Sequence, residues 1–164
     1  MSAGEGERVR AGSEEVAAGA RDRPAWPFAV AAVVALVGVA DAVYLMVEHV
    51  AGRSVRCTIT SGCDEVLASP YATVFGLPLA AYGAAAYFTA FSLATLAAFG
   101  YRATALPLRV LVGVMLATTL WLLYVQAFVL RAFCQYCLLS AAVTLTLSAL
   151  AAAEWLMKRD RKKS

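Results

Sequence analysis

The sequence predicts an all-α membrane protein, a four-transmembrane-helix bundle with a short interfacial helix in the first extracytoplasmic loop. Three observations carry this. Hydrophobic residues make up 62% of the 164 and charged residues only 15%, more apolar than a soluble domain of this size. Four stretches free or nearly free of charge are each long enough to cross the hydrocarbon core, which takes roughly 20 residues. Basic residues gather at alternate ends of those stretches, as topology requires.

The first span is expected at about 25–47, interrupted only by Asp41. Behind it comes a charge-free stretch, Val66 to Tyr101, too long for one perpendicular helix and punctuated by Pro70, Gly76 and Pro78. It divides into an interfacial segment near Glu65 to Thr73 and a second span at about 77–100, since proline is tolerated where a helix begins. A third span is expected at 110–130 and a fourth at 132–155. Residues 1–24, rich in Gly, Ala, Ser, Glu and Arg, read as a disordered cytoplasmic tail, and 158–164 as a basic one. The apolar run from Ala25 is too long and too far along the chain for a cleavable signal peptide.

Arg8, Arg10, Arg21 and Arg23 precede the first span, Arg102 and Arg109 flank the second connection, and Lys158, Arg159, Arg161, Lys162 and Lys163 follow the last. Arg53, Arg56 and Arg131 fall on the opposite side. The excess of Lys and Arg marks the cytoplasmic face, so both termini are expected inside, in a bacterial inner or cell membrane. These ends anchor and orient; they form no nucleic-acid footprint.

The four cysteines fall as two pairs, Cys57 with Cys63 in a polar loop and Cys134 with Cys137 as Cys-Gln-Tyr-Cys at the mouth of the last apolar run. With four spans and inner termini, both pairs face one compartment, and that compartment is oxidising. Residues three apart on a helix share a face, so Cys134 and Cys137 suit a short-range disulfide with Cys137 deeper. The helix N-terminus should lower the Cys134 pKa. Cys57 and Cys63 alone would read as a structural disulfide. A zinc site would need a four-cysteine cage across two segments, since His49 is the sole histidine, so no metal is expected. The accessible pair and the pair opening on lipid together suggest a thiol-to-lipid redox relay. The alternative is a non-catalytic membrane protein, a transport or assembly subunit, stabilised by two disulfides.

The residues 41–45 (Asp-Ala-Val-Tyr-Leu), the loop 57–72 from Cys57 to Ala72, Phe75-Gly76-Leu77-Pro78 and Cys134 to Cys137 together resemble the vitamin K epoxide reductase family, in its single-domain prokaryotic form, over roughly Val30 to Ala153. The resemblance implies a bundle enclosing a quinone (menaquinone, ubiquinone or phylloquinone) and a quinone-dependent thiol oxidoreductase. Cys134 and Cys137 would form the active-site disulfide, Cys137 meeting the quinone ring and Cys134 exchanging with the loop. Cys57 and Cys63 would pass oxidation to a separate thioredoxin-like disulfide carrier, because only Lys158 to Ser164 follow the last span. Ser69 and Phe75 would help bind the quinone, Ser69 by hydrogen bonding. Animal members place an Asn and a Tyr against the vitamin K carbonyls where this chain has Ala72 and Ala141, so activity on vitamin K epoxide does not carry over. The bacterial Dsb thiol oxidase has the reverse order of pairs.

Asp41 is a functional candidate by default, a carboxylate in lipid being costly, although an interfacial or helix-paired carboxylate is the plainer reading. Glu48 and His49 are expected solvated. Trp26, Tyr101 and Trp155 suit the interfacial belt. Trp121, Tyr124, Phe128, Phe133, Tyr82 and Tyr87 are candidates either for the pocket wall or for packing. Gly83 to Ala86 suggest close helix approach.

Overall fold

The first spanning helix, α1 (Trp26–Val50), buries one narrow face: Phe28, Ala31, Ala32, Ala35, Gly38, Ala42 and Leu45. That recurrence every three or four residues puts them on one stripe. Because most are small, neighbouring backbones approach closely, as helices must where lipid supplies no hydrophobic drive. Gly38 is required for this: a Cβ there would lie 2.6 Å from the ring of Tyr87. The computed structural model from which this architecture is read describes residues 25–53, 55, 57–58 and 62–161. The N-terminal tail expected over 1–24 and the last three residues of the basic tail lie outside them.

Following α1 come a short helix α2 (Cys63–Leu67) and a 3₁₀ turn (Pro70–Ala72). A two-stranded hairpin, β1 (Thr73–Val74) and β2 (Leu77–Pro78), pairs Val74 with Leu77. Its turn places both Phe75 and Gly76 at positive φ, 51° and 78°, the geometry that matches strand twist in a two-residue hairpin. The hydroxyl of Tyr82 donates to the Val74 carbonyl at 3.2 Å and ties the hairpin to the next helix. The stretch expected as a separate segment near Glu65 to Thr73 is thus a helical turn and a 3₁₀ turn, and the hairpin follows it.

The second span, α3 (Leu79–Ala98), starts two residues later than expected because Leu77 and Pro78 belong to the hairpin. The third, α4 (Ala105–Tyr124), starts five residues earlier than 110. Pro107 falls in its first turn, where no helical N–H is lost, and Arg109 is neutralised across the bundle by Glu154 at 3.4 Å. Its last turns, Val125–Leu130, are π-helical and end on Arg131 in the left-handed region, φ 51°. The fourth span lies in α5 (Gln135–Arg161), which starts after Cys134 and not at 132, and continues through the first residues of the basic tail.

Among the described residues four helices are long and apolar enough to cross a membrane: Trp26–Val50, Leu79–Ala98, Ala105–Leu130 and Gln135–Met157. Around them large apolar side chains such as Val33, Leu36, Phe88, Leu106, Val110 and Leu145 stay exposed, which is what a lipid solvent demands. This is an integral membrane protein. α1 packs chiefly on α3 and secondly on α5, while α4 closes against α5 and α3. At the centre Tyr87 is buried, its hydroxyl 2.6 Å from Ser140 Oγ, 2.9 Å from Thr144 Oγ1 and donating to the Ser140 carbonyl at 2.9 Å.

Candidate active site

All four cysteines lie at one end of the bundle. Cys57 and Cys63 are joined in a disulfide, with Cα atoms 5.7 Å apart. Cys63, at the start of α2, is 1% exposed and packs in one buried cluster with Val66, Ala132 and the fully buried Cys134; Cys57, Tyr136 and Cys137 pack against that cluster. Cys134 and Cys137 are free thiols.

The loop reaches them by two devices. Gly62 sits directly against the 131–134 segment, where a Cβ would lie 2.8 Å from the Phe133 nitrogen and 2.9 Å from the Ala132 Cβ. No larger residue fits without moving backbone. Gln135, second in the Cys-Gln-Tyr-Cys motif, accepts from the Thr58 N–H at 3.0 Å and more weakly from the Thr58 hydroxyl at 3.3 Å. Each pair is thereby fastened to the other beside its own sulfur.

Cys134 is held from a second side. The side-chain oxygen of Gln126, a buried amide in the π-turn, accepts from the Cys134 N–H at 3.1 Å, and the Gln126 carbonyl accepts from the Ala132 N–H at 3.2 Å. Cys134 in turn caps α5, its carbonyl accepting from the Leu138 N–H at 3.0 Å. The Cys134 thiol is lowered from 9.0 to about 7. The largest cause is the hydrogen bond from the Cys137 thiol; the backbone N–H groups of Cys137 and Tyr136 at the helix start add to it, while burial and the Asp41 carboxylate oppose it. The expected helix-end effect is present, second to the neighbouring thiol. No motif in the sequence marks the roles of Gln126, Gln135 and Thr58. A lone amide in an apolar span was the available signal for Gln126.

Below the cysteines lies a cavity of about 340 Å³, within the range of small-molecule sites. Cys137 lines it, with Ser140, Ala141 and Thr144 of the same helix. α1 contributes Asp41, Leu45 and His49; α3 contributes Gly83 and Tyr87; α4 contributes an apolar wall including Met115 and Leu122; Gln126 closes one corner. Val66, Leu67, Ser69 and Ala72 roof it.

The sequence-predicted residues divide. Cys57, Cys63, Cys134 and Cys137 come together, and Ser69 faces the cavity from its roof, its hydroxyl donating to the Val66 carbonyl at 2.7 Å. Phe75 does not join them: it is 97% exposed at the hairpin tip and lines no part of the cavity. Of the aromatic candidates, Tyr82 and Tyr87 line the cavity. Trp121, Tyr124 and Phe128 point outward as a ladder with ring centroids 6.0 and 5.0 Å apart, and Phe133 is exposed. Ala72 and Ala141 do line the cavity, as small apolar wall. Asp41 is 8% exposed on the cavity wall, with no hydrogen bond or ion pair among the described residues.

A four-span bundle with a cysteine cluster over an apolar cavity defines a membrane protein built for sulfur redox chemistry. The chain belongs to the vitamin K epoxide reductase family, whose sequence model matches residues 29–152, most of the chain and all four cysteines. Membership makes it an oxidoreductase.

Proposed function

We propose that the protein is a quinone-dependent membrane thiol oxidoreductase that supports disulfide formation outside the cytoplasm. A reduced thioredoxin-like carrier, a separate protein, gives electrons to the Cys57–Cys63 disulfide. The resulting dithiol reduces the Cys134–Cys137 disulfide, and that pair reduces a quinone in the cavity. Each exchange needs a thiolate aimed at a disulfide sulfur: the carrier supplies it to the loop bridge and a loop cysteine supplies it to the inner bridge, after which the lowered Cys134 thiol leaves the reduced inner pair poised as a thiolate.

The observation that carries this reading is the single buried cluster joining Cys63 and Cys134, with Cys137 on the cavity wall beneath. A cavity with mostly apolar walls and a few polar groups suits a quinone ring, and such a group would be held between Ser69, Ser140 and Thr144 and the faces of α3 and α4. When bound it accepts two electrons; the chain's own residues position the thiols and exclude water. The basic residues flanking the spans support a topology with both termini in the cytoplasm and the cysteines outside.

The test uses the full chain in detergent, with dithiothreitol as donor and a short-chain quinone as acceptor. Cys137→Ala should abolish hydroquinone formation while the Cys57–Cys63 bridge still forms. A wild type with no turnover above the protein-free rate would point to a disulfide-stabilised subunit without catalysis, and undiminished turnover in the variant would remove Cys137 from the reaction.

A further inference from the structure

We propose that Asp41 is a catalytic residue, the acid that protonates the acceptor bound in the cavity while Cys134 and Cys137 supply its electrons. This rests on the proposed quinone reaction. Its grounds are placement. Asp41 lies inside a spanning helix, nine residues before its end at Val50, is more than nine-tenths buried, faces the cavity, and has no hydrogen bond or ion pair among the described residues. An unpartnered carboxyl in such surroundings is costly and holds nothing in place. Asp41 lines the same cavity as Cys137.

The proton balance calls for such a group. Two electrons leave the sulfurs as the Cys134–Cys137 bond forms, and the two quinone oxygens need two protons to become hydroquinone. The Cys137 thiol gives one. With Cys134 entering as a thiolate, its proton is already lost, so the second must come from elsewhere. Asp41 enters as the carboxylic acid, hands over that proton and leaves as the carboxylate. One negative charge stands on sulfur before the step and on Asp41 after it, and bulk water restores the proton through the mouth.

The other titratable groups on the cavity are accounted for. From α1, His49 sits at the exposed mouth, two turns and about 12 Å along the axis from Asp41. Tyr71 comes from the 3₁₀ turn; Tyr82 and Tyr87 come from α3 and already donate to Val74 and to Ser140. α5 offers Cys137, and α4 offers no titratable side chain to the wall.

The experiment is a single turnover: the full chain in detergent, reduced with dithiothreitol and freed of it, mixed with decyl-ubiquinone or a short-chain menaquinone analogue, whichever the wild type reduces faster. Asp41→Asn should slow hydroquinone formation on the order of a hundredfold, while reduction of the Cys134–Cys137 disulfide by dithiothreitol changes less than about twofold. In the wild type the rate should rise as Cys134 becomes a thiolate and fall at higher pH as the acid ionises; Asp41→Asn should lose that falling limb, and Asp41→Glu should keep it and recover most of the rate. His49→Ala should retain the limb. A rate for Asp41→Asn within about twofold of wild type overturns the assignment, as does a loss that Asp41→Glu shares in full or that slows the dithiothreitol step equally. Should Asp41→Asn fail to fold, the limb is compared between wild type and Asp41→Glu, and its absence from the wild type overturns it. A wild type that reduces no quinone, or a Cys137→Ala variant that still does, defeats the underlying reading and this assignment with it; an unimpaired Asp41→Asn beside an active wild type and an inactive Cys137→Ala defeats the assignment alone.

Discussion

Cys134 owes its character to two neighbours that differ in kind, a thiol three residues on and the open N–H groups of the helix it caps. With a pKa of about 7 it is largely thiol below neutrality and largely thiolate above, so its alkylation rate should climb with pH and reach half its maximum near 7. Removing the larger cause, by Cys137→Ala, should move that midpoint upward toward the ordinary thiol range; iodoacetamide labelling followed by mass spectrometry reads both. Phe75 poses the opposite case. Its motif drew it into the expected quinone site, yet the side chain stands 97% exposed on a residue with φ 51°. Phe75→Asn, suited to that backbone, should leave the quinone KM unchanged, and steady-state kinetics would detect otherwise. The cysteines were legible because their residue type, order and spacing are themselves the signal. Gln126 was not, because its partner is a backbone N–H eight residues away, across a π-turn and a left-handed residue that no periodicity announces.

Among elements, the spans were legible and their ends were not. Length and lack of charge fix a span, whereas an end depends on local bonds: the Thr73–Pro78 hairpin claims the first residues of the expected second helix, and the pairing of Arg109 with Glu154 carries α4 past a charge that had marked its boundary. The join between loop and motif is the most demanding local feature. Gly62→Ala places a methyl group within 3.0 Å of the Phe133 backbone, so the loop must lift and Cys63 must part from Cys134. Electron transfer from loop to inner pair should slow by at least about tenfold, the equivalent of roughly 1.4 kcal/mol, with direct dithiothreitol reduction of the inner pair preserved; quenched-flow alkylation separates the two. Gln126→Leu removes the acceptor for the Cys134 N–H and should leave that buried donor unsatisfied, at a cost of about 1–3 kcal/mol.

For the whole molecule, helix proximity rests on small residues and one polar knot. Gly38 admits the Tyr87 ring, and the Tyr87 hydroxyl binds Ser140 and Thr144 on α5, so a single side chain joins three helices. Tyr87→Phe should lower stability by about 1 kcal/mol, seen as an earlier thermal transition in detergent. Gly83 to Ala86 announced close packing in the sequence; which helix would fill the notch at Gly38 could not be read there, because that pairing joins residues far apart in the chain. The short helix that begins with Cys63 also carries Val66 and Leu67 over the cavity. One five-residue lever therefore bears a sulfur at one end and part of a ceiling at the other. On the proposed relay, any displacement of that sulfur during exchange would displace the ceiling with it.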